Sequence, residues 1–491
     1  MNISLKTRLG SLSVPTLVAL ICLIHVALLI WQALVVQINN DGILYVRGAR
    51  LFAEGHFAEA RQLFPWFTYP LLLGGGMKLT GIDAWPLALI VDGVASTLTV
   101  LVVLRCVWLL VPQREALIAA GLLLLGNLWF NDLRATIVRE HFYFLLMLIG
   151  FYFTIRDLQT PGWRYRAGFL LCTLAAGLFR IEAFGFVVLV SAVRVAFEAR
   201  SRPLRIAAVL ALALAPVGAL LLTAFWSDAG NLGALLSKPR GRIDILRDQV
   251  LAPFESRKAT FAYAAMVFGL LLYGLVNAMG LATVAMTGFA WADRRIRSSA
   301  PFRAAFAYLL AGLVIYAAQI YFNIVFDYRH GLVMSLIFTP VAAAGLLALW
   351  RAARDRTALR PRVLLGVVIA LLITGLLVGI RKYDAQHYRY AAAAWLQQNL
   401  PPTARISSNS NQILFYGGFV NTTPQVVVGF GAEHPDPALF ADWASYDAVV
   451  LEIRHSKLGY ADALNKRFGT TPAKVFENGR GDEIFIYRRA P

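Results

Sequence analysis

Six short segments carry side chains that could do chemistry, and each borders an apolar run. Charges near membrane depth are costly and are kept mainly where they pair or act. The first segment is Asn39-Asn40-Asp41-Gly42-Ile43-Leu44-Tyr45. Asp41 stands at the expected start of a helix running from Gly42 to about Ala53. It could cap exposed backbone N–H groups, or act as a general base at the membrane–water boundary. Tyr45 would lie one turn along on the same face. The second segment, Glu54–Pro70, is rich in aromatics (Phe57, Phe64, Trp66, Phe67, Tyr69) and punctuated by Gly55, Pro65 and Pro70. It reads as a pair of surface helices anchored at the interface, or as a wall of a site open to lipid. The third, Asn131–His141, gathers Asp132, Arg134, Arg139, Glu140 and His141 between two apolar runs. Arg139 and Glu140 are adjacent and would face different directions on a helix, so a mutual ion pair is not their obvious purpose. A carboxylate base and a phosphate-binding guanidinium could share such a turn.

Arg180-Ile181-Glu182 is the fourth segment. An unmatched pair there would be expensive to bury, so it is either a structural clamp or a substrate contact. Asp327-Tyr328-Arg329-His330 is the fifth. Arg329 could meet a phosphate. His330 could ligate a metal or carry a proton, or be only a solvated structural side chain. The sixth is the loop 227–258, with Lys238-Pro239-Arg240-Gly241-Arg242 and Arg247. It could dock an anionic headgroup through residues such as Arg240, or be only a solvated face.

Several machineries are missing from the sequence. Gly74-Gly75-Gly76 precedes no Lys-Ser/Thr, so it reads as a flexible or close-packing feature rather than a phosphate loop. Nothing matches a nucleophile elbow, HExxH or paired CxxC. Cys22, Cys106 and Cys172 each lie inside an apolar run and read as small packing residues. ATP-driven transport is unsupported. An enzyme of this kind would take a substrate already activated, delivered in the membrane or at its outer face.

The elements that must position these groups are membrane helices. The chain has 491 residues, 58% apolar and 15% charged, with mean hydropathy +0.62; soluble proteins carry about 25% charged residues. The expected fold is a polytopic α-helical membrane protein. Apolar runs near 14–36, 84–110, 115–130, 142–155, 167–180, 183–195, 206–226, 259–290, 303–323, 331–350 and 362–380 make about eleven spans. Several are shorter than the roughly 20 residues of a simple crossing. The first is read as a retained span rather than a cleaved leader. With the N-terminus inside, the inner segments hold 19 Lys/Arg against 5 Asp/Glu, and the outer ones through residue 330 hold 14 against 12. This is the positive-inside asymmetry. It requires 167–180 and 183–195 to be two spans and places the C-terminus outside. The net charge of +18 follows from this topology and not from nucleic-acid binding. Residues 1–380 form the membrane part, with surface helices in the outer loop 37–83. Residues 381–491 read as a small outer α/β domain. It has a helix Tyr388–Leu400, then Pro401-Pro402, and strand-like runs Gln425–Gly429, Ala448–Ile453 and Glu483–Tyr487. The sequon at Asn421-Thr422-Thr423 has no meaning if the source is bacterial.

The order of the motifs has a likeness. An acid and a Tyr follow span one, with the turn Phe67-Thr68-Tyr69-Pro70 beyond them. Arg139-Glu140 opens span four, Arg180-Ile181-Glu182 follows span five, and Tyr328-Arg329 opens a late span. Trp395-Leu396 and Pro401 end the helix that begins the outer domain. Across residues 37–345 this pattern resembles the GT-C membrane glycosyltransferases of the bacterial family-39/83 type: aminoarabinose transferases, protein mannosyltransferases and lipopolysaccharide-core sugar transferases. The resemblance implies transfer of a sugar from a polyprenyl-phosphate donor to a cell-envelope glycolipid, polysaccharide or protein, at the outer face of the inner membrane. Carried over, Asp41 matches the first-loop acid, the expected base or acceptor-positioning group. Glu140, or less closely Asp132, matches the second-loop acid. Arg139, Arg180 and Arg329 are candidates for the carrier phosphate, with Tyr45, Glu182, Tyr328, His330 and Arg240 as further substrate contacts.

There are departures. Asn40-Asp41-Gly42 replaces the Asp-Glu pair of the protein mannosyltransferases, which weakens protein O-mannosylation. No metal-ligand set is matched, so no metal is carried over and a divalent cation stays an open cofactor. The expected partners are the lipid-linked donor, the acceptor and membrane lipid, with no nucleic acid. The competing readings are a lipid-linked sugar transporter or flippase, and a polysaccharide polymerase or ligase. A transporter would place ionisable residues mid-span, where Asp92 and Arg105 are the main examples.

Overall fold

A computed structural model describes residues 13–35, 37–64, 66–198, 203, 206, 232–252, 258–324, 326–354, 359–380, 387–419, 446–453 and 460–488. The chain clusters into two compact units. One comprises Met1–Leu29, Ile90–Arg134 and Val138–Gly379; the other comprises Ile30–Leu89, Ala135–Ile137 and Ile380–Pro491. The loop 37–83, assigned from sequence to the membrane part, clusters with the C-terminal residues.

The helices run in order as α1 (Val14–Val35), α2 (Asn40–Glu54), α3 (Phe57–Leu63), α4 (Thr68–Thr80), α5 (Ala84–Leu110) and α6 (Arg114–Leu125). Then come α7 (Leu128–Leu133), α8 (Glu140–Gln159), α9 (Trp163–Phe179), α10 (Glu182–Glu198) and α11 (Leu232–Ile245). A π turn, Leu246–Val250, follows, then α12 (Ala259–Met279), α13 (Leu281–Trp291), α14 (Arg294–Arg297), α15 (Ala300–Asn323), α16 (Tyr328–Ala353) and α17 (Leu359–Ile380). Among the described residues, 7 helices are long and apolar enough to cross a membrane, which makes this a multi-pass membrane protein. The eleven runs exceed that number because α6, with 12 residues, and α9 and α10, with 17 each, are short. The run 206–226 lies almost wholly outside the described residues. The central helix of the first unit is α16, whose apolar window is 94% buried, against 17% for α1 and α17.

Two boundaries bear on the sites. The runs 167–180 and 183–195 are separate helices, with Arg180 extended between them (φ −147°, ψ 123°). The run 259–290, expected as one span, is broken at Gly280 (φ 77°, ψ 140°). Glycine tolerates that positive φ. The break frees the Met279 carbonyl, which accepts from Ser335 Oγ at 2.9 Å and Asn127 Nδ2 at 3.4 Å. A carbonyl at membrane depth needs such partners.

In the second unit, α2 and α4 pack closely. A Cβ on Gly74 would stand 2.7 Å from the Ala49 carbonyl oxygen and 2.8 Å from Phe52 Cβ, whereas one on Gly75 would meet nothing within 4 Å. Gly74 and Gly76, where a Cβ would stand 2.8 Å from Leu87 Cδ2, are therefore the close-packing members of the glycine triplet. The C-terminal part of this unit is α/β. It contains α18 (His387–Asn399), β1 (Ile406–Ser408), α19 (Asn411–Tyr416), β2 (Ala448–Ile453), α20 (Tyr460–Phe468), β3 (Lys474–Glu477) and β4 (Glu483–Arg488). The described strands form a sheet in the order β1-β2-β4-β3, with β1 and β2 parallel and the other pairs antiparallel. Alternate side chains of a strand face opposite sides. Val450, Ile484 and Ile486 pack against Ala392, Leu396 and Ile413, while Val449, Leu451 and Phe485 pack against Leu464 and Phe468. Both faces are covered, which explains the continuous apolar run of β2. The strands expected at 448–453 and 483–487 are present; the one at 425–429 and the sequon lie outside the described residues.

Candidate functional site

The first unit holds a buried ionic cluster at the helix ends. Glu140 opens α8, and Arg180 occupies the extended junction of α9 and α10. Arg180 Nη1 donates to Glu140 Oε1 at 2.5 Å, Nη2 to Glu182 Oε1 at 2.8 Å, and Nε to Glu182 Oε2 at 3.3 Å. The side chains are only 6% (Arg180), 4% (Glu140) and 12% (Glu182) exposed. Such burial is sustainable only when the charges are paired. Three of the guanidinium's five N–H donors are thus committed to protein carboxylates, the geometry of a clamp. The guanidinium also lies 5.8 Å from the centre of the Tyr143 ring. His330 Nε2 stands 3.7 Å from Glu182 Oε1. Arg139 and Arg329 act electrostatically on Glu140 together with Arg180. Glu140 Oε2 is buried without a hydrogen-bond partner among the described residues.

The first turn of α16 adds the neighbouring groups. Asp327 caps it, accepting from the Arg329 backbone N–H at 3.1 Å and from Arg329 Nε at 2.8 Å. Tyr328 donates its hydroxyl to Asp132 Oδ2 at 2.6 Å and stacks on Trp129 at 4.1 Å. Trp129 in turn donates its indole N–H to the Asn277 carbonyl at 2.8 Å and lines an apolar cavity of about 610 Å³. Tyr273, Leu272, Val276, Leu371 and Leu372 form other walls of that cavity. Its size is within the range of small-molecule sites, about 300–1,000 Å³.

The structure therefore brings together Glu140, Arg139, Arg180, Glu182, Arg329 and His330, and pairs Tyr328 of the same α16 turn with Asp132 of α7. Glu140's ion-pair partner is Arg180, forty residues away, and not its neighbour Arg139. Arg240 is exposed on α11 and makes none of the bonds described above. Its neighbour Arg242 has a task that the sequence reading missed. Its Nη1 and Nη2 donate to the Phe322 and Asn323 carbonyls at 2.7 and 3.2 Å, capping the C-terminus of α15, where a cation also suits the helix dipole. Trp129 and Tyr143 were missed as well. Tyr143 had a signal, its i+3 spacing from Glu140. Among the described residues, no group of three or more His, Cys, Asp or Glu is gathered as metal ligands.

Asp41 belongs to the second unit. The expectation of an N-cap is corrected: α2 begins at Asn40, Asn39 holds the cap position, and Asp41 is inside the first turn. A carboxylate there faces the positive end of the helix dipole. Tyr45 is 3% exposed, edge-on to Phe64 and Tyr69 with ring centroids 5.2 and 5.1 Å away. Its place is in the aromatic packing of α2 against α4, which fixes the helix carrying Asp41.

No family model and no curated protein matches the chain. Solved structures do. The crystal structure of ArnT from Cupriavidus metallidurans in the apo state matches with a TM-score of 0.54 and 14% identity, over 96% of this chain and 97% of that one. The same protein bound to undecaprenyl phosphate matches with a TM-score of 0.50 and 13% identity, over 96% and 98%. The chain has the ArnT fold. That fold is the GT-C architecture to which the motif order pointed, and the likeness extends over nearly the whole length of both chains.

Proposed function

We propose that this protein is a membrane glycosyltransferase that moves a sugar from a polyprenyl-phosphate carrier to a cell-envelope acceptor at the outer face of the bacterial inner membrane. The observation that carries the reading is the chain-long likeness to ArnT, an aminoarabinose transferase, one of whose structures holds undecaprenyl phosphate. The buried acid–arginine cluster and the apolar cavity beside Trp129 support it. A lipid-phosphate donor already contains its leaving group, in keeping with the lack of any nucleotide loop.

In this reading the Asp41 carboxylate takes the proton of an acceptor hydroxyl or amine. The acceptor's lone pair forms the new bond to the anomeric carbon. The bond from that carbon to the phosphate oxygen breaks, and the polyprenyl phosphate leaves with the electron pair. Arg139 and Arg329 are the guanidinium groups proposed to meet the growing phosphate charge, since Arg180 is committed to Glu140 and Glu182. Glu140 is the second acid, and the cavity accepts hydrocarbon. The charge asymmetry supports an inside N-terminus and an outside C-terminal domain.

The test is transfer itself. Purified protein and Asp41→Asn are incubated with a panel of polyprenyl-phosphate sugars and a cell-envelope lipid extract, and products are read by mass spectrometry. One donor is expected to give a one-hexose or one-pentose shift. Asp41→Asn is expected to lose roughly a hundredfold or more in rate while inserting normally. Equal transfer by both proteins would remove Asp41 as the base.

A further inference from the structure

The residues just before Asp41 are tied down by the C-terminal part of the second unit. The Ile38 N–H donates to the Tyr416 hydroxyl at 2.8 Å. Arg389 Nη1 donates to Gln37 Oε1 at 2.9 Å. Gln412 Nε2 donates to Asn40 Oδ1 at 3.2 Å. Three bonds thus grip residues 37–40, and their partners, Arg389 from α18 and Gln412 and Tyr416 from α19, are more than three hundred residues away in sequence.

Each partner is itself held. Arg389 Nε donates to both Glu452 oxygens, at 3.0 and 2.9 Å, anchoring α18 to β2 of the sheet. Tyr388 bonds to the same carboxylate. The Tyr416 ring lies 4.4 Å from Tyr390 and 5.6 Å from Trp85, and its carbonyl accepts from Gln397 Nε2 at 3.2 Å. Burial pushes the Tyr416 hydroxyl well above its ordinary range, so it stays protonated as the bond partner of Ile38. The gripped side is equally constrained: Gln37 and Ile38 are 6% and 4% exposed. A segment between two helices, with both its backbone and its side chains bonded, has little room to turn.

We propose that the C-terminal domain is the positioning element of the Asp41 turn, with Tyr416 as the principal positioning residue and Arg389 and Gln412 as its supports. It holds residues 37–40 so that the first turn of α2 presents the Asp41 carboxylate in one orientation. The consequence for catalysis rests on the transferase reading above; the grip itself does not. Displacing a reacting group by about 1 Å can cost roughly a hundredfold in rate, so a small loosening has a readable effect.

The experiment compares full-length wild type, Tyr416→Phe and Tyr487→Phe in lipid nanodiscs. Tyr416→Phe keeps the ring and removes only the hydroxyl. Tyr487→Phe removes a hydroxyl from the opposite core of the same sheet, where it donates to Asn465 Oδ1 at 2.8 Å. Two quantities are read: amide hydrogen exchange across residues 37–45, and kcat and KM for the donor. Tyr416→Phe should speed exchange in 37–45 and lower kcat roughly ten- to a hundredfold, with KM within about twofold. Tyr487→Phe should do neither. Unchanged exchange at 37–45 in Tyr416→Phe overturns the grip. Faster exchange with unchanged kcat, where Asp41→Asn abolishes transfer, overturns the positioning role. Identical behaviour of the two Tyr variants reduces the effect to general stability and also overturns it. Transfer that survives Asp41→Asn defeats the transferase role of Asp41 and leaves the grip to be read by exchange alone.

Discussion

The acids in the first turns of α8 and α2 are held by different physics. Glu140 is buried and balanced by charge: Arg180 joins it to Glu182 across three helix ends. Asp41 is half-buried, and its turn is held by neutral or singly charged hydrogen bonds from the C-terminal domain and by the packing of α2 on α4. A charge-locked acid is expensive to disturb and barely adjustable. An acid on a packed, hydrogen-bonded turn is oriented by the backbone that carries it. The first arrangement suits a fixed electrostatic framework, and the second suits a group that must meet a substrate proton.

The largest expected effect breaks the charge-locked side. Arg180→Met leaves two buried carboxylates without their partner and should cost about 3–5 kcal/mol. That would be read as a drop in the melting temperature of the solubilised protein, or as failure to accumulate in the membrane. Adding Glu140→Gln and Glu182→Gln to the same variant should recover much of the loss, because no charge is then left uncompensated. If Arg180→Met melts like wild type, the cluster is solvated and the contrast between the two acids disappears.

The packed side is probed by adjacent glycines. Gly74→Ala drives a methyl into the Ala49 carbonyl and Phe52 and should cost about 1–3 kcal/mol, since overpacking forces backbone shifts. It should also lower transfer, because α2 carries Asp41. Gly75→Ala has open space and gains helix propensity, up to about 1 kcal/mol, so it should melt at or above wild type. The same response from both would mean that α2 and α4 are not in close register. The comparison needs only thermal melts and the transfer assay.

How much of this was legible in the sequence depends on the range of the interaction. The apolar run 84–110 coincides with α5, a local signal, and the break near residues 180–182 was readable from the charge balance summed over the loops, which needs no fold. The Arg180–Glu182 pair was local too and was read as either a clamp or a substrate contact. Its third member, Glu140, was hidden: pairing across forty residues is set by how α8 meets the α9–α10 junction, which no spacing encodes. Gly280 lay inside an unbroken apolar run, and hydropathy does not register a positive φ. The capping of α15 by Arg242 passed for a basic loop because only the fold shows which helix end it reaches. The bonds from Arg389, Gln412 and Tyr416 to residues 37–40 join the two ends of the sequence, so the C-terminal domain had no readable task.

The smallest effect tests whether charge pairing matters for α2. Arg50 and Asp83 form a bidentate pair at 3.0 and 2.9 Å, but their side chains are 35% and 45% exposed. The bonds from Arg50 hold the Asp83 carboxyl below its usual 3.8. A depressed folded value means that the stabilisation is present above the unfolded value and is lost as pH falls through the folded one. Exposure to solvent screens the pair, so Asp83→Asn should cost only about 0–1 kcal/mol at neutral pH. The melting difference from wild type should shrink as pH falls below 3.8, vanish once the depressed folded value is passed, and shrink with added salt. A loss at neutral pH as large as that of Arg180→Met would show that α2 also depends on charge, and the two acids would then be held by the same kind of force.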